Sequence, residues 1–281
     1  MENPGSSALA AFRLAAYLSL TFALMPVQAL LLAARSRAAG RLPVVYHRLC
    51  ARILGFDVRV RGTPVASEPA LFVSNHISYL DITVLGGVTE LSFVAKSDVA
   101  QWPLFGWLAK LQRTVFVARR AAGVDKERDA IARRLDGGGR LVLFAEGTTG
   151  DGNRTRRFKS ALFAVAERPL DAAPVAVQPV TIAWTRLDGM PLGRFLRPAV
   201  AWYGDMDLAP HLWAVAGLGR IEVEVIFHEP VTLAQVGSRK ALAHHCESII
   251  SRSLTQALAG RAPAPLPAPA GHVKHPAPLH A

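Results

Sequence analysis

The first pattern along the chain is an apolar run. From Leu14 to Ala34 the stretch LAAYLSLTFALMPVQALLLAA carries no charge, and at 1.5 Å per residue it covers a hydrocarbon core of about 30 Å. Membrane contact is expected. Pro26 and Gln28 interrupt the run, so a kinked or re-entrant anchor stands beside a straight spanning helix. A cleaved signal peptide, with Val27-Gln28-Ala29 as its cleavage-like site, and a buried core helix are the rival readings. Arg35, Arg37 and Arg41 follow the run, whereas Arg13 before it is offset by Glu2. By the positive-inside rule, everything after residue 35 lies on the cytoplasmic side.

The spacing then becomes helical. In RLPVVYHRLCARILGF, Leu42, Val45, Leu49, Ile53 and Leu54 share a face opposite Arg41, His47, Arg48 and Arg52. This predicts an amphipathic helix, suited to an anionic membrane surface or to packing on the domain. From Val58 the period shortens: VRVRG alternates, and ALFVS, RLVLFAE and VAVQPVTIAW are short apolar runs. Helical stretches at 121–135 and 158–167 lie between them. Strands alternating with helices predict an α/β fold with a mostly parallel central sheet flanked by helices. RIEVEVIFHEPV, with Ile221, Val223, Val225 and Phe227 alternating against charges, predicts a half-exposed or edge strand. A helix over 239–258 follows. The last segment, GRAPAPLPAPAGHVKHPAPLHA, is too rich in Pro and Ala to build a core. The expected division is an anchor over 1–41, a domain over 42–259 and a disordered tail over 260–281.

Composition restricts the partners. With 51% apolar residues among 281 the chain can bury a large core. Its net charge of +11 predicts attraction to nucleic acid, anionic lipid or phosphorylated substrates. The two cysteines, Cys50 and Cys246, offer neither a disulfide framework nor zinc spacing. No metal site is expected. The basic runs lack interleaved aromatic platforms, which disfavours nucleic acid.

Candidate chemistry collects where strands end. ALFVS runs into Asn75-His76, TVFVARR into Arg119 and Arg120, and LVLFAEGTTGDGNR into Glu146 and a glycine turn. VAVQPV is read as ending at Gln178-Pro179. In a parallel sheet such ends share one edge, where ligands bind in open α/β folds.

His76 and Asp81, five positions apart, would be about 140° out of phase on one helix. With His76 in the turn before a helix and Asp81 in its first turns, the carboxylate can reach the ring. One imidazole nitrogen is then fixed and the other is free to accept a hydroxyl proton. The plainer alternative is that Ser78 caps the helix and His76 fills a turn. Gly147, Gly150 and Gly152, followed by Arg154, Arg156, Arg157 and Lys159, could present N–H groups and guanidinium groups to an oxyanion or phosphate, or form a solvated surface loop. A G-x-S-x-G nucleophile elbow is absent.

The strings NHISYLD, LQRTVFVAR, FAEGTTGDGNR and VQPV, in this order, resemble the four motifs of the glycerolipid acyltransferase family, which includes bacterial 1-acylglycerol-3-phosphate acyltransferase. The resemblance covers residues 55–235. It implies that His76 is the catalytic base and Asp81 its orienting partner, and that Arg119 contacts the acceptor's head group. By the same resemblance Glu146, Gly147 and Thr148 shape the acceptor site, Pro179 lies near the acyl-donor or membrane-facing pocket, and Lys96 occupies a basic position common in the family. Ala118, Ala145, Arg113 and Thr149 depart from the commoner motif residues, which bears on the acceptor more than on the reaction.

The reaction implied is O-acylation of a lysophospholipid by acyl-CoA or acyl carrier protein, a thioester co-substrate that needs no cofactor, at the inner membrane of the cell. The acceptor expected first is 1-acylglycerol-3-phosphate, giving phosphatidate. The alternative is lyso-ornithine lipid, to whose subgroup LQRTVFV, EGTTGDGN and MPLGRFLRPAVAWYGDMDLAPHLW look closer. A non-catalytic lipid- or nucleic-acid-binding membrane protein is the distant alternative.

Overall fold

The computed structural model describes residues 5–65, 69–117, 124–167 and 174–261. Its centre is a sheet in the order β1-β8-β6-β2-β5-β3-β4. The strands are β1 (Phe56–Arg61), β2 (Ala70–Ser74), β3 (Ser92–Lys96), β4 (Val115–Val117), β5 (Arg140–Phe144), β6 (Ala176–Leu187), β7 (Met190–Pro191) and β8 (Ile221–Phe227). β4, β3, β5, β2 and β6 run parallel, while β8 pairs antiparallel with β6 and carries β1 parallel to itself. The sheet is mostly parallel, as the alternation of strand and helix patterns predicts.

Side-chain alternation divides the core into two layers. Ala70 and Phe72 of β2 face α1 (Ser7–Ala33), α2 (Ala38–Ile53), α3 (Leu80–Gly86) and α6 (Leu208–Ala216). Leu71 and Val73 face the opposite layer, built from α5 (Val124–Asp136), a 3-10 helix (Ser160–Glu167) and α8 (Arg239–Leu258). β2 is buried along its whole length, so a polar residue at its end is presented from a rigid base. The remaining helices are α4 (Phe105–Leu111) and α7 (Leu233–Val236).

Two expectations are narrowed and one needs correction. β8 is half-exposed, with Glu222 and Glu224 on its wetter side, but it is not an edge strand. Arg59 reaches Glu222 at 3.2 Å and Arg61 reaches Glu224 at 3.1 Å from the neighbouring β1. Period-two polarity reports a solvated face and says nothing about how many neighbours the strand has. The helical stretch at 158–167 is a 3-10 helix from Ser160. Gln178 and Pro179 do not end a strand, because β6 continues to Leu187. Gln178 is committed to structure: its Oε1 accepts from Val65 N at 2.8 Å, and its Nε2 donates to the carbonyls of Thr63 (2.9 Å) and His228 (2.7 Å). Pro179 is buried opposite Val73, and its carbonyl accepts from His228 N at 3.0 Å. A proline inside a central strand is uncommon, which is why it reads as a strand end.

α1 extends through Pro26 and is tied to the domain at two places. The Arg13 guanidinium donates to the carbonyls of Leu218 (2.6 Å) and Ala216 (3.2 Å). Gln28 Nε2 donates to those of Ala39 (2.9 Å) and Leu111 (3.1 Å). The two residues are 15 positions apart, about 22 Å along a helix, so α1 lies along the domain. Its buried residues are Ala10, Tyr17, Thr21 and Gln28, and Phe12, Phe22 and Leu30 point outward. This is neither a buried core helix nor a helix that leaves the domain behind. The tail expected over 260–281 lies outside the described residues apart from Gly260 and Arg261.

Candidate active site

β2 leaves the sheet at Asn75, whose side chain replaces the ladder it abandons. Asn75 Nδ2 donates to Ile182 O and Asn75 Oδ1 accepts from Ile182 N, both at 2.9 Å. Both backbone groups of Ile182 in β6 therefore keep a partner where β2 departs. The next three residues fold around one oxygen. Asp81, in the first turn of α3, accepts with Oδ2 from His76 Nδ1 (2.9 Å), Ile77 N (2.8 Å) and Ser78 N (3.1 Å). Its Oδ1 accepts from the indole N–H of Trp184 at 3.0 Å. Asp81 is fully buried and both its oxygens are occupied, the condition under which a buried carboxylate is tolerated.

The two readings of His76 and Asp81 therefore do not compete. One carboxylate both caps the turn and fixes the ring, while Ser78 Oγ contributes only a 3.3 Å contact to Leu80 N. An ionised carboxylate only accepts, so Nδ1 carries the proton and Nε2 presents a lone pair. The imidazole is packed flat on Phe144, with centroids 3.8 Å apart and planes 13° apart. Its side chain is 17% exposed, which leaves the Nε2 edge reachable from the sheet's carboxyl end.

Glu146, just past β5, joins the histidine turn to the glycine loop. Its Oε1 accepts from His76 N at 3.0 Å and its Oε2 from Arg156 N at 3.1 Å. Only 3% exposed, its carboxyl is pushed up to about 8, first by burial and then by the Asp81 charge, against two backbone N–H donors that favour ionisation. Gly147 N–H bonds Phe144 O and Gly150 N–H bonds His76 O, each at 3.0 Å. Gly147 turns with φ +68°, a conformation glycine adopts without the cost of a Cβ. Thr148 is exposed at the loop's outer side.

Lys96 ends β3. Extending the pairing Phe93↔Val142 brings it level with Ala145, two strands from β2 and on the order of 10 Å across the sheet. It is half-buried on the same carboxyl edge as His76 and Glu146. β4 ends at Val117, and Arg119 lies outside the described residues. Pro179 is the expected site residue that is not brought to this edge, for it sits three residues before the Ile182 that Asn75 bonds.

Sequence reasoning missed Arg197. It is buried, it donates through Nη1 to Asn153 Oδ1 and through Nη2 to Leu192 O, and it rests against the position a Cβ on Gly152 would occupy, at 3.2 Å. Burial lowers its pKa, and the nearby Asp151 carboxylate opposes that shift. Asn153 in turn holds Asp151 Oδ1 through its backbone N at 3.1 Å. Arg197 thus clamps the glycine loop from a segment 44 residues away. A buried arginine cannot be told from a surface one by spacing alone.

An apolar chamber opens beside the histidine turn. It is lined by Tyr17 and Leu24 of α1, Leu42 of α2, Tyr79, Phe93 of β3 and Trp102, and encloses about 1160 Å³ with its open mouth included.

Residues 57–183 match the family model described as Acyltransferase. The chain is 48% identical over 251 residues to the lyso-ornithine lipid O-acyltransferase of Brucella abortus (strain 2308), covering 88% of this chain and 94% of that one. It is 29% identical over 219 residues to the 1-acyl-sn-glycerol-3-phosphate acyltransferase of Neisseria gonorrhoeae, covering 77% and 81%. The crystal structure of the 1-acyl-sn-glycerophosphate acyltransferase from Thermotoga maritima superposes with a TM-score of 0.63 at 19% identity, over 89% of this chain and 95% of that one. It shares the fold. The buried dyad at one strand end and a relative at this identity, matched over nearly its whole length, agree with the four motifs, and the chain belongs to the acyltransferase family.

Proposed function

We infer that the chain is an O-acyltransferase whose acceptor is lyso-ornithine lipid. The observation that carries the acceptor is the gap between 48% identity to a relative of that name and 29% to one acting on 1-acylglycerol-3-phosphate. His76 Nε2 takes the proton of the acceptor hydroxyl as that oxygen attacks the thioester carbonyl of acyl-CoA or acyl carrier protein. Asp81 holds the imidazole and stabilises the imidazolium that forms. Collapse of the tetrahedral intermediate breaks the C–S bond, and the departing thiolate takes the proton back from His76. Backbone N–H groups of the glycine loop other than those of Gly147 and Gly150, which bond Phe144 O and His76 O, stabilise the oxyanion.

Glu146 sets the loop against the histidine turn. Lys96 and Arg119 would hold the carboxylate of the ornithine head group. The apolar chamber accepts an acyl chain, since its lining is almost wholly apolar and it adjoins the turn that carries His76. The outward apolar side of α1 seats the enzyme in one leaflet of the inner membrane, with the domain on the cytoplasmic side.

The test is to offer labelled acyl-CoA and acyl carrier protein, separately, with lyso-ornithine lipid and with lysophosphatidate. Turnover of lyso-ornithine lipid at a far higher kcat/KM supports the acceptor. Turnover of lysophosphatidate alone rejects it. Protease access to the C-terminus in sealed vesicles checks the orientation.

A further inference from the structure

We propose that the segment 188–197, which turns after β6 and contains β7, is a second membrane-seated element that inserts Phe195 and Leu196 into an anionic lipid surface. The proposal rests on the reading that α1 holds the chain at a membrane. Phe195 is 93% exposed, Leu196 next to it is also exposed, and Met190 in β7 at the preceding turn is 71% exposed. Single exposed apolar residues are ordinary, but two adjacent large ones beside exposed arginines are a patch that invites a partner.

The tip is held out by a rigid base. Leu192 is buried, Leu196 N and Arg197 N both bond Gly193 O at 3.1 Å, and Arg197 fastens the base to Leu192 O and Asn153. Collapse onto the domain would have hidden Phe195, and this base prevents it.

The surrounding charge and the position select lipid. Arg194, exposed beside Phe195, stands near the exposed Arg154, Arg156 and Arg157 of the glycine loop that Arg197 clamps. Cations around an apolar tip are the arrangement that anionic bilayers attract. The loop also begins at the foot of α1. Asp188 exchanges backbone and side-chain bonds with Arg220 (2.8 and 2.7 Å), beside the Leu218 carbonyl that Arg13 holds. The start of the segment is thus next to the helix whose outward side carries Phe12. Because Asn153 Nδ2 lies 3.4 Å from Arg194 O, a seated loop would hold the glycine loop of the active site at the lipid surface.

Both native cysteines are buried, so a full-length Phe195→Cys protein takes an environment-sensitive fluorophore at one place. A Thr255→Cys protein, labelled on the exposed side of α8 in the opposite layer, is the control. On phosphatidylglycerol-containing vesicles the label at 195 should shift to the blue and be quenched by a lipid-borne doxyl group near the head groups, while that at 255 stays water-like. Phe195→Asp should weaken partition onto the vesicles by roughly five- to tenfold, and Phe195→Leu by less than twofold, as expected for partial burial of one aromatic side chain. A water-like label at 195 on protein that sediments with vesicles overturns this proposal and leaves the α1 anchor standing. Protein that does not sediment overturns both. Protection of the label by acyl carrier protein without lipid would give the patch to that partner and also overturn the proposal. None of these readouts needs turnover, so the acceptor assignment is tested separately.

Discussion

The oxygen of Asp81 that accepts from His76 Nδ1 at 2.9 Å is the same one that accepts from the backbone N–H groups of Ile77 and Ser78. Removing the ring and removing the carboxylate should therefore have different consequences. His76→Ala leaves the caps intact, so we expect a loss of about 10²- to 10⁴-fold in kcat with a melting temperature close to wild type. Asp81→Ala strands two backbone donors and the Trp184 indole, each costing about 1–3 kcal/mol when buried without a partner. It should lose activity and melt well below wild type. Activity and thermal unfolding of the two purified variants check the contrast. Equal melting losses would refute it.

Glu146 sets a pH dependence of stability. Its carboxyl titrates near 8 in the folded chain, against an ordinary value of 4.5, so between those values the folded state holds a proton that the unfolded state has released. The resulting stabilisation is fully present below about 4.5 and is lost as pH rises through about 8. Glu146→Gln, which cannot titrate, should flatten this part of the stability curve. Denaturant unfolding at a series of pH values is the measurement, and an unchanged slope in the variant would sink the idea.

Arg197 and Asn153 act as one clamp. Arg197→Met and Asn153→Ala should each lower kcat, and the double variant should lose little more than either single one, with a coupling of about 0.5–3 kcal/mol. Arg197→Lys should recover only part of the activity, because an ammonium cannot reach Leu192 O and Asn153 together in the guanidinium's fork. Simple additivity in the cycle would show that the two residues act independently.

Gly147→Ala tests the turn after Glu146. A Cβ there would approach Lys159 Nζ to 2.8 Å, but that is the far end of a flexible side chain and can move. The cost that remains is the φ of +68°, about 1–2 kcal/mol. A measured loss above roughly 4 kcal/mol, about twice that range, would mean that the backbone of the loop cannot adjust.

Local patterns were legible wherever one element decides its own form. ALFVS is β2 residue for residue, and the helix expected over 239–258 is α8, because alternation and helical spacing are settled by neighbours along the chain. Glu146 and the glycines were legible as residues, though their connections were not. The site depends on bonds from His76 to Glu146 across 70 positions and from Asp81 to Trp184 across 103. Nothing in either local stretch encodes which distant group will meet it. For the same reason Gln178-Pro179 read as a strand end when it is strand interior, and the pattern of β8 left half-exposed and edge readings open where the fold flanks it on both sides.

The sequence by itself determined the strands and helices, the apolar stretch of α1, the polar residues at strand ends and, through four ordered motifs, the family. Those features follow from short-range sterics and from the period of burial. Tertiary structure alone decided that α1 lies along the domain, that one carboxylate serves as both cap and partner of His76, and that Arg197 clamps the glycine loop. Each depends on which surfaces meet when the sheet closes, and that is set by the packing of the whole core.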